Sequence, residues 1–496
     1  MSEGADDQRA GDARHGGLSP DALRDRFAVA ACQHDKGRLA ACERLDILFD
    51  EGTLTALTTG DGLITAWGQI GGRAIFAFAQ DVTDGQGIVT AQHGARIVEL
   101  LERAAAAQTP AVGLYDSAGL AVEQGLAALA GQGAVLRALA ARSGAAPHIA
   151  LVFGDAIGPA AFAPAMADVT FMLARAAKVC VAGPAVLRAA TGELATAEAL
   201  GGASLHATTT GLVDRVFADE IEMVFAARSV VGWLAAERSA ADGEPPLALH
   251  LDTLVPTDAA EPYDMRELVL AIADRGDWFE LQPDHAGAML CGLARIDGRS
   301  VGIVANQPLV AGGVIDRPGI AKANHLVTLC AAQGLPIVTL VDSPGLMPGV
   351  NEEAGGIVAA AAGLIAAYAR ADVPVISVAT RRAIGPAWLL MAPRAGEGSV
   401  ARGACFAWPS AEIGAIGAAA GARLLFGGGE DAGTREKVRD YAARIADPEH
   451  AVAAGVIDAV IRPAATRATI ALALGRIDAQ GSGRSLPHPA PQGAGQ

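Results

Sequence analysis

Aromatic side chains make up only 4% of the 496 residues, although 51% are hydrophobic. The interior must therefore be built mainly from Ala, Val, Leu and Ile, whose small volume lets helices and strands approach closely. The six cysteines stand apart at positions 32, 42, 180, 291, 330 and 405. None has C-x-x-C spacing, which argues against a zinc ribbon or a disulfide framework. No metal is expected, and a reduced, cytoplasmic setting fits. Met1 to Arg14 is polar and charged and lacks the apolar stretch of a signal peptide. No run of about 18 apolar residues escapes interruption by Gly, Pro or charge, so no membrane span is expected. A net charge of -16 argues against nucleic acid as the main partner and is sufficient for solubility. The common catalytic signatures are missing too. There is no G-x-S-x-G elbow, no H-E-x-x-H, no G-x-x-x-x-G-K-[ST], and no G-x-G-x-x-G opening a helix.

What is present is a repeat. Ala156-Ile157-Gly158-Pro159-Ala160 returns letter for letter as Ala383-Ile384-Gly385-Pro386-Ala387. At essentially the same spacing, Tyr115-Asp116-Ser117-Ala118-Gly119-Leu120 answers Val341-Asp342-Ser343-Pro344-Gly345-Leu346, and Gly71-Gly72-Arg73 answers Asp297-Gly298-Arg299. Three matches in one order indicate an internal duplication. The length alone would suit about three domains, but the repeat points to two copies of one α/β unit. We divide the chain into a disordered arm (1–18), an N-terminal domain (19–240), a Pro- and charge-rich linker (241–265), a C-terminal domain (266–480) and a disordered tail (481–496).

Helical spacing runs from Leu18 to Leu48, with a polar interruption at residues 33–38. In the first copy, residues 63–67 and 73–79 read as a strand pair, 93–107 as a helix, 110–115 as a strand, 125–142 as a helix and 148–153 as a strand. Gly154–Gly158 reads as a turn and residues 160–167 as the start of a helix, with a strand at 177–181 before Gly183-Pro184. The second copy repeats the plan: strands at 288–295, 300–305, 336–342 and 374–380, and helices at 319–333 and 355–369. Strand, small-residue turn, helix is the geometry of a largely parallel sheet.

Side-chain chemistry is sparse. His206 and His325 are isolated and read as structural. Asp116 and Asp342, at equivalent places beyond strands, read as turn caps. The turns themselves offer more. A glycine after a strand, opening a helix, lets backbone N–H groups face a ligand oxygen. Such donors can hold an enolate or another oxyanion without any titratable group. Two such turns could polarise two carbonyls, as transfer of a group between two carriers requires; equally, each could be a tight turn packed on a helix.

The sequence resembles the carboxyltransferase (β) subunits of biotin-dependent acyl-CoA carboxylases, in the pattern of propionyl-CoA carboxylase β and methylmalonyl-CoA carboxyltransferase. The resemblance is carried by residues 37–52, 200–211, 280–284, 302–308, 341–349 and 407–413, and extends over about residues 35–465. It implies two tandem crotonase-like (ClpP/crotonase) α/β domains built from ββα spiral units. It also implies an active site at a dimer interface, with acyl-CoA on the N-half of one protomer facing carboxybiotin on the C-half of another, and a ring of six. Each half would contribute an oxyanion hole, mapping onto Gly158 and Ala160 and onto Gly385 and Ala387. Ala118, Gly119, Gly183, Pro184, Gly345, Gly355 and Gly356 fall where the family binds coenzyme A or biotin, and Trp388 and Leu389 where it lines the acyl pocket. No Met-Lys-Met biotin-attachment motif or nucleotide-binding signature is present, so a biotin carboxylase and a biotin carrier would be separate partners.

The chain departs from the family at the site. The family has glycine where Pro159 and Pro386 stand, and proline has no N–H to donate. The family's Asp-Ser-Gly-Gly-Ala-Arg is here Asp116-Ser117-Ala118-Gly119-Leu120-Ala121, its Arg-His-Gly-Ala is Ala359-Ala360-Ala361-Ala362, and its acyl-pocket Asp is Leu389. The last change points to a different or larger acyl group. Three functions remain open on sequence: a working carboxyltransferase, a non-catalytic paralogue assembled with an active β subunit, and a biotin-independent acyl-CoA decarboxylase or thioesterase.

Overall fold

A computed structural model describes residues 30–234, 251–256, 258, 261–393, 403–426 and 432–481. The arm at 1–18, nearly all of the tail, and most of the 241–265 linker lie outside the described residues. The β-branched and alanine-rich runs noted above become strands that are buried on both faces. Ala111–Tyr115, His148–Val152 and Val169–Leu173 are buried at every position, as strands covered by helices on both sides must be.

Two sheets repeat one plan. The first takes strands Thr55–Thr58, Leu63–Ile70, Arg73–Gln80, Ala111–Tyr115, His148–Val152, Val169–Leu173 and Arg215–Phe217 in that spatial order. The second takes Trp278–Leu281, Met289–Ile296, Arg299–Asn306, Ile337–Ser343, Val375–Ile384, Gly403–Ala407 and Ala459–Val460, with Glu412–Gly414 alongside Val375–Ile384. In each, an antiparallel hairpin precedes parallel strands. The hairpins agree in register: Leu63 faces Gln80 as Met289 faces Asn306, and Ile70 faces Arg73 as Ile296 faces Arg299. Both close through two residues of positive φ, Gly71-Gly72 (58° and 78°) and Asp297-Gly298 (55° and 73°), as a tight hairpin matched to strand twist requires. Helices Ala91–Ala106 and Arg317–Gln333 occupy equivalent places, each capped by a side chain, Thr90 and Asp316.

Some local expectations need correcting. Gly154–Gly158 is not simply a turn: Asp155–Ile157 is a strand paired in parallel with Lys178–Cys180. The helix expected over 160–167 is a 3₁₀ turn, Gly158–Ala161, followed by the single α-turn Phe162–Ala165; Pro159 and Pro164 remove N–H donors from it. The strand expected to stop at Thr380 continues to Ile384, because its last three residues pair with Glu412–Gly414. The helical reading before Leu48 agrees with the described residues: 30–34 are helical, the chain breaks at 35–40, and a second helix runs over Ala41–Leu48, with residues 18–29 outside the described set. Within the linker, Leu251–Leu254 forms one helical turn, and Met265 opens the helix Met265–Ile272.

The halves meet at a polar joint. Within the second half, the Lys322 ammonium donates to the carbonyls of Gln282 and His285 at 2.7 and 2.9 Å and holds the segment that reaches across. Gln282 N–H donates to the Asp214 carbonyl at 2.7 Å, and its amide Nε2 to the Gly211 carbonyl at 2.9 Å. Residues 280–284 and 200–211 therefore serve as the seam between the halves. Among the described residues no helix is long and apolar enough to cross a membrane.

Candidate active site

Beside the segment that leads into each repeated turn lies a buried carboxylate, Asp116 against Gly154 and Asp342 against Arg381 and Arg382. Asp116 is 3% exposed and takes Arg38 at 2.7 Å and Arg44 at 2.9 Å; Asp342 is fully buried and takes Arg381 at 2.9 Å and Arg382 at 3.0 Å. Both are ion-paired anchors, not the turn caps expected from sequence. Each backbone N–H is taken by an amide side chain, Gln80 for Asp116 and Asn306 for Asp342. Glu220 adds a second carboxylate to the first cluster, accepting from Arg44 at 2.8 and 3.0 Å. Buried charges at this depth persist only when paired, and both aspartates are.

The turns follow these anchored segments in the chain. Gly158 has φ of +71° and Gly385 of +57°, a region in which a side chain would be strained. A Cβ at Gly385 would also lie 3.0 Å from the Ala415 carbonyl. Each glycine is followed by proline in the first helical turn, where the missing N–H costs no helical hydrogen bond. In the second turn the Gly385 N–H is committed to the Gly414 carbonyl at 2.8 Å, and the Trp388 N–H returns to the Gly385 carbonyl at 3.1 Å. Ala387, between them, sits in the first turn, where N–H groups have no intrahelical acceptor. It is thus the backbone donor that remains. In the first turn Gln132, on helix Leu126–Arg142, donates to the Pro159 carbonyl at 3.3 Å and ties the turn to that helix. Ala160 and Ala387 are both buried.

The loops assigned to coenzyme A and biotin carry few spare donors. The N–H groups of Ala118, Gly119, Gly345, Gly355 and Gly356 all bond within the chain, to Gln86, Ser117, Ser343, Asn351 and Glu353 respectively. A ligand there would meet carbonyls and Cα atoms. Gly183 caps the helix Pro184–Thr191, and Pro184 lines a cavity of about 410 Å³ with Arg188, Leu194 and Thr196. Sequence reasoning missed Arg188, an exposed cation beside a candidate ligand loop.

Trp388 and Leu389 do share a cavity, of about 520 Å³. Its wall runs from Gly385 and Pro386 to Ile413 and then to Ala451, Ala454 and Val456, with Arg444 and His450 as its titratable groups. The last five come from some sixty residues further along the chain, with no motif to announce them. Trp388 is 7% exposed and Leu389 62%, so the former is wall and the latter rim.

The two isolated histidines are placed by their partners. His206 has Thr210 Oγ1 at 2.9 Å and the Val179 carbonyl at 2.8 Å on its two ring nitrogens. His325 lies 3.3 Å from Asp214 across the joint; burial opposes its protonation, but Asp214 and then Asp168 hold it above the ordinary imidazole range. Among the described residues no group of three or more His, Cys, Asp or Glu side chains could hold a metal ion.

Comparison with known proteins agrees with this architecture. The carboxyl transferase domain family matches residues 32–481. The propionyl-CoA carboxylase beta chain of Cereibacter sphaeroides is 36% identical over 469 residues, 89% of this chain and 91% of that one. Methylmalonyl-CoA decarboxylase subunit alpha of Veillonella parvula is 34% identical over 477 residues, 91% and 92% of the two chains. The transcarboxylase 12S structure, a hexamer with methylmalonyl-coenzyme A and methylmalonic acid bound, superposes with a TM-score of 0.86 at 33% identity over 96% of this chain and 98% of that one. The resemblance read from the motifs is thus borne out, and the chain belongs to the carboxyl transferase family, on a fold of two crotonase-like α/β halves.

Proposed function

We propose that this chain is the carboxyltransferase subunit of a biotin-dependent acyl-CoA carboxylase. It would move a carboxyl group from carboxybiotin to the α-carbon of an acyl-CoA. The observation that carries this is the pair of duplicated turns, each with a positive-φ glycine and an alanine in the first helical turn; the carboxylates beside the segments that lead into them are already neutralised.

The chain's chemistry is then electrostatic. The Ala160 N–H would hold the thioester oxygen as negative charge gathers on it, and the Ala387 N–H would hold the carbonyl of the second carrier. The cavity beside this turn has a mostly apolar wall without a carboxylate, which suits an uncharged cyclic urea. Carboxybiotin, when bound, supplies the carboxyl group and takes the α-proton in exchange. Arg188 beside Pro184 suits a phosphate of coenzyme A. The biotin carrier and the ATP-using biotin carboxylase would be separate subunits, and assembly into a hexamer would bring the N-half of one protomer against the C-half of the next. Pro159 and Pro386 favour a second reading, a non-catalytic partner of an active β subunit, because each removes a donor from its turn.

The test is label transfer. The chain is mixed with a biotin carboxylase, its biotinylated carrier, ATP and radiolabelled bicarbonate, and acid-stable label in acyl-CoA is counted. Label that depends on this chain supports the proposal. Label only after adding a second β-type chain supports the non-catalytic reading.

A further inference from the structure

Helix Arg317–Gln333 carries a buried cation without a close counter-charge. Lys322 is 2% exposed. Its ammonium donates to the Gln282 and His285 carbonyls, which leaves a third N–H. Glu280 and Asp214 act on it only from a distance. Each has a nearer partner: Arg266 reaches Glu280 at 2.7 Å, and the Thr170 N–H reaches Asp214 at 2.8 Å. Burial pushes the ammonium below its ordinary range, as it must for a charge with only carbonyls beside it.

Lys322 lines a cavity of about 180 Å³ between the two halves. At roughly 30 Å³ per water-sized group, it has room for a small ion and a few waters. His325 lines the same cavity, three residues further along the same helix and so on the same face. Its Nε2 is shielded from solvent and lies 3.3 Å from Asp214, yet makes no hydrogen bond. Burial opposes its charge, but Asp214 and then Asp168 hold the imidazole above its ordinary range. Asp168 is outside the lining and has Arg142 nearby as well. The lining thus offers two cationic donors against one carboxylate. That carboxylate, Asp214, already accepts from Thr170 and from Gln282 Nε2 at 3.4 Å. His285 adds no donor, because its Nδ1 is committed to the Thr208 carbonyl at 3.3 Å.

We infer that this cavity is a binding site for a small monovalent oxyanion, of the carboxylate or bicarbonate kind, held by Lys322 and His325 between the halves. One negative charge balances the excess of the lining, and its oxygens accept from both donors. A cation would meet the ammonium, and an apolar molecule would leave both donors unpaired. The cavity is too small for a nucleotide or a coenzyme A. The site is separate from both repeated turns, so the inference goes beyond the catalytic reading and does not depend on it.

The experiment is a thermal melt of the full chain against formate, and against bicarbonate in a sealed cell. It is run at pH 6.5, where the raised imidazole is charged, at constant ionic strength made up with bulky gluconate. The wild type is compared with Ala321→Leu and His325→Gln. Ala321 is exposed at the cavity rim, so leucine narrows the cavity without entering the core; glutamine at 325 keeps a polar side chain and loses the charge. We expect Tm to rise along a saturating curve, by roughly 1–3 °C at tenfold above the midpoint concentration, and each variant to raise that midpoint at least tenfold. A lower midpoint for bicarbonate than for formate names hydrated carbon dioxide as the ligand, and the reverse names a simple carboxylate; either supports the site. A rise that stays linear, or that is equal in wild type and variants, is a general salt effect and overturns the inference. So does a folded wild type with no rise. Chloride acting with the same saturation and the same sensitivity to the variants overturns the oxyanion assignment, because charge alone is then read.

Discussion

Replacing Pro386 with glycine should raise turnover while slightly lowering stability. Glycine restores an N–H next to that of Ala387, and neither support of the turn depends on the proline ring. The Gly385 N–H keeps its bond to the Gly414 carbonyl at 2.8 Å, and the Trp388 N–H its bond to Gly385 at 3.1 Å. The positive φ belongs to Gly385. Loss of the ring frees the unfolded chain, at about 0.4–1 kcal/mol, or a fall in Tm of roughly 1–4 °C for a domain of this size. The gain is a donor aimed at developing charge, and one such donor is worth about 10²–10³ in kcat where it has been measured in an enzyme of another class. Biotin-stimulated decarboxylation of methylmalonyl-CoA would separate kcat from KM. A rise of tenfold or more in kcat, with KM little changed, fits a donor that acts mainly in the transition state. An unchanged kcat in a folded variant would refute the reasoning: the proline would then not limit this turn. A fall in kcat would mean that the ring itself contacts a substrate.

Two further predictions concern stability. Asp342→Asn strands Arg381 and Arg382, which lose their shared carboxylate, and should cost about 3–5 kcal/mol; Asp116→Asn should cost less, because Glu220 still accepts from Arg38 and Arg44. Thermal melts of the two variants would show the order, and equal shifts would count against it. Burial, with Arg142 nearby, pushes the imidazole of His148 down to about 3 from an ordinary 6.5. The unfolded chain therefore binds a proton that the folded chain refuses, so stability is full above pH 6.5 and declines as pH falls toward 3. Denaturant midpoints between pH 7 and 4.5 should fall steadily, and His148→Phe should flatten the decline.

The sequence carried the duplication plainly, because a repeat read at one spacing fixes strands and turns in both halves at once. Strand bounds for residues 63–80 and 289–306 came out within a few positions for the same reason: a hairpin signals itself locally through alternation and a glycine turn. Asp155–Ile157 did not, since a three-residue strand exists only through its pairing with Lys178–Cys180. The role of Asp116 was equally hidden, as its partners Arg38 and Arg44 lie 78 and 72 residues away. Spacing along the chain says nothing about such contacts. The cavity beside Trp388 was half legible. Leu389 could be singled out by its place after the turn, but Ala454 and Val456 look like any other small residues until the chain folds back over Trp388. The commitment of the Gly385 N–H to Gly414 could only be read from the folded turn; it moves the donor role onto Ala387.

The measurement closest to the central claim is methylmalonyl-CoA decarboxylation by the purified chain, with and without free biotin. Two working turns predict slow turnover that biotin stimulates, because the second turn then has a carrier to act on. Biotin-indifferent turnover would contradict a role for the second turn, and no turnover from folded protein at any acyl length would contradict catalysis by this chain.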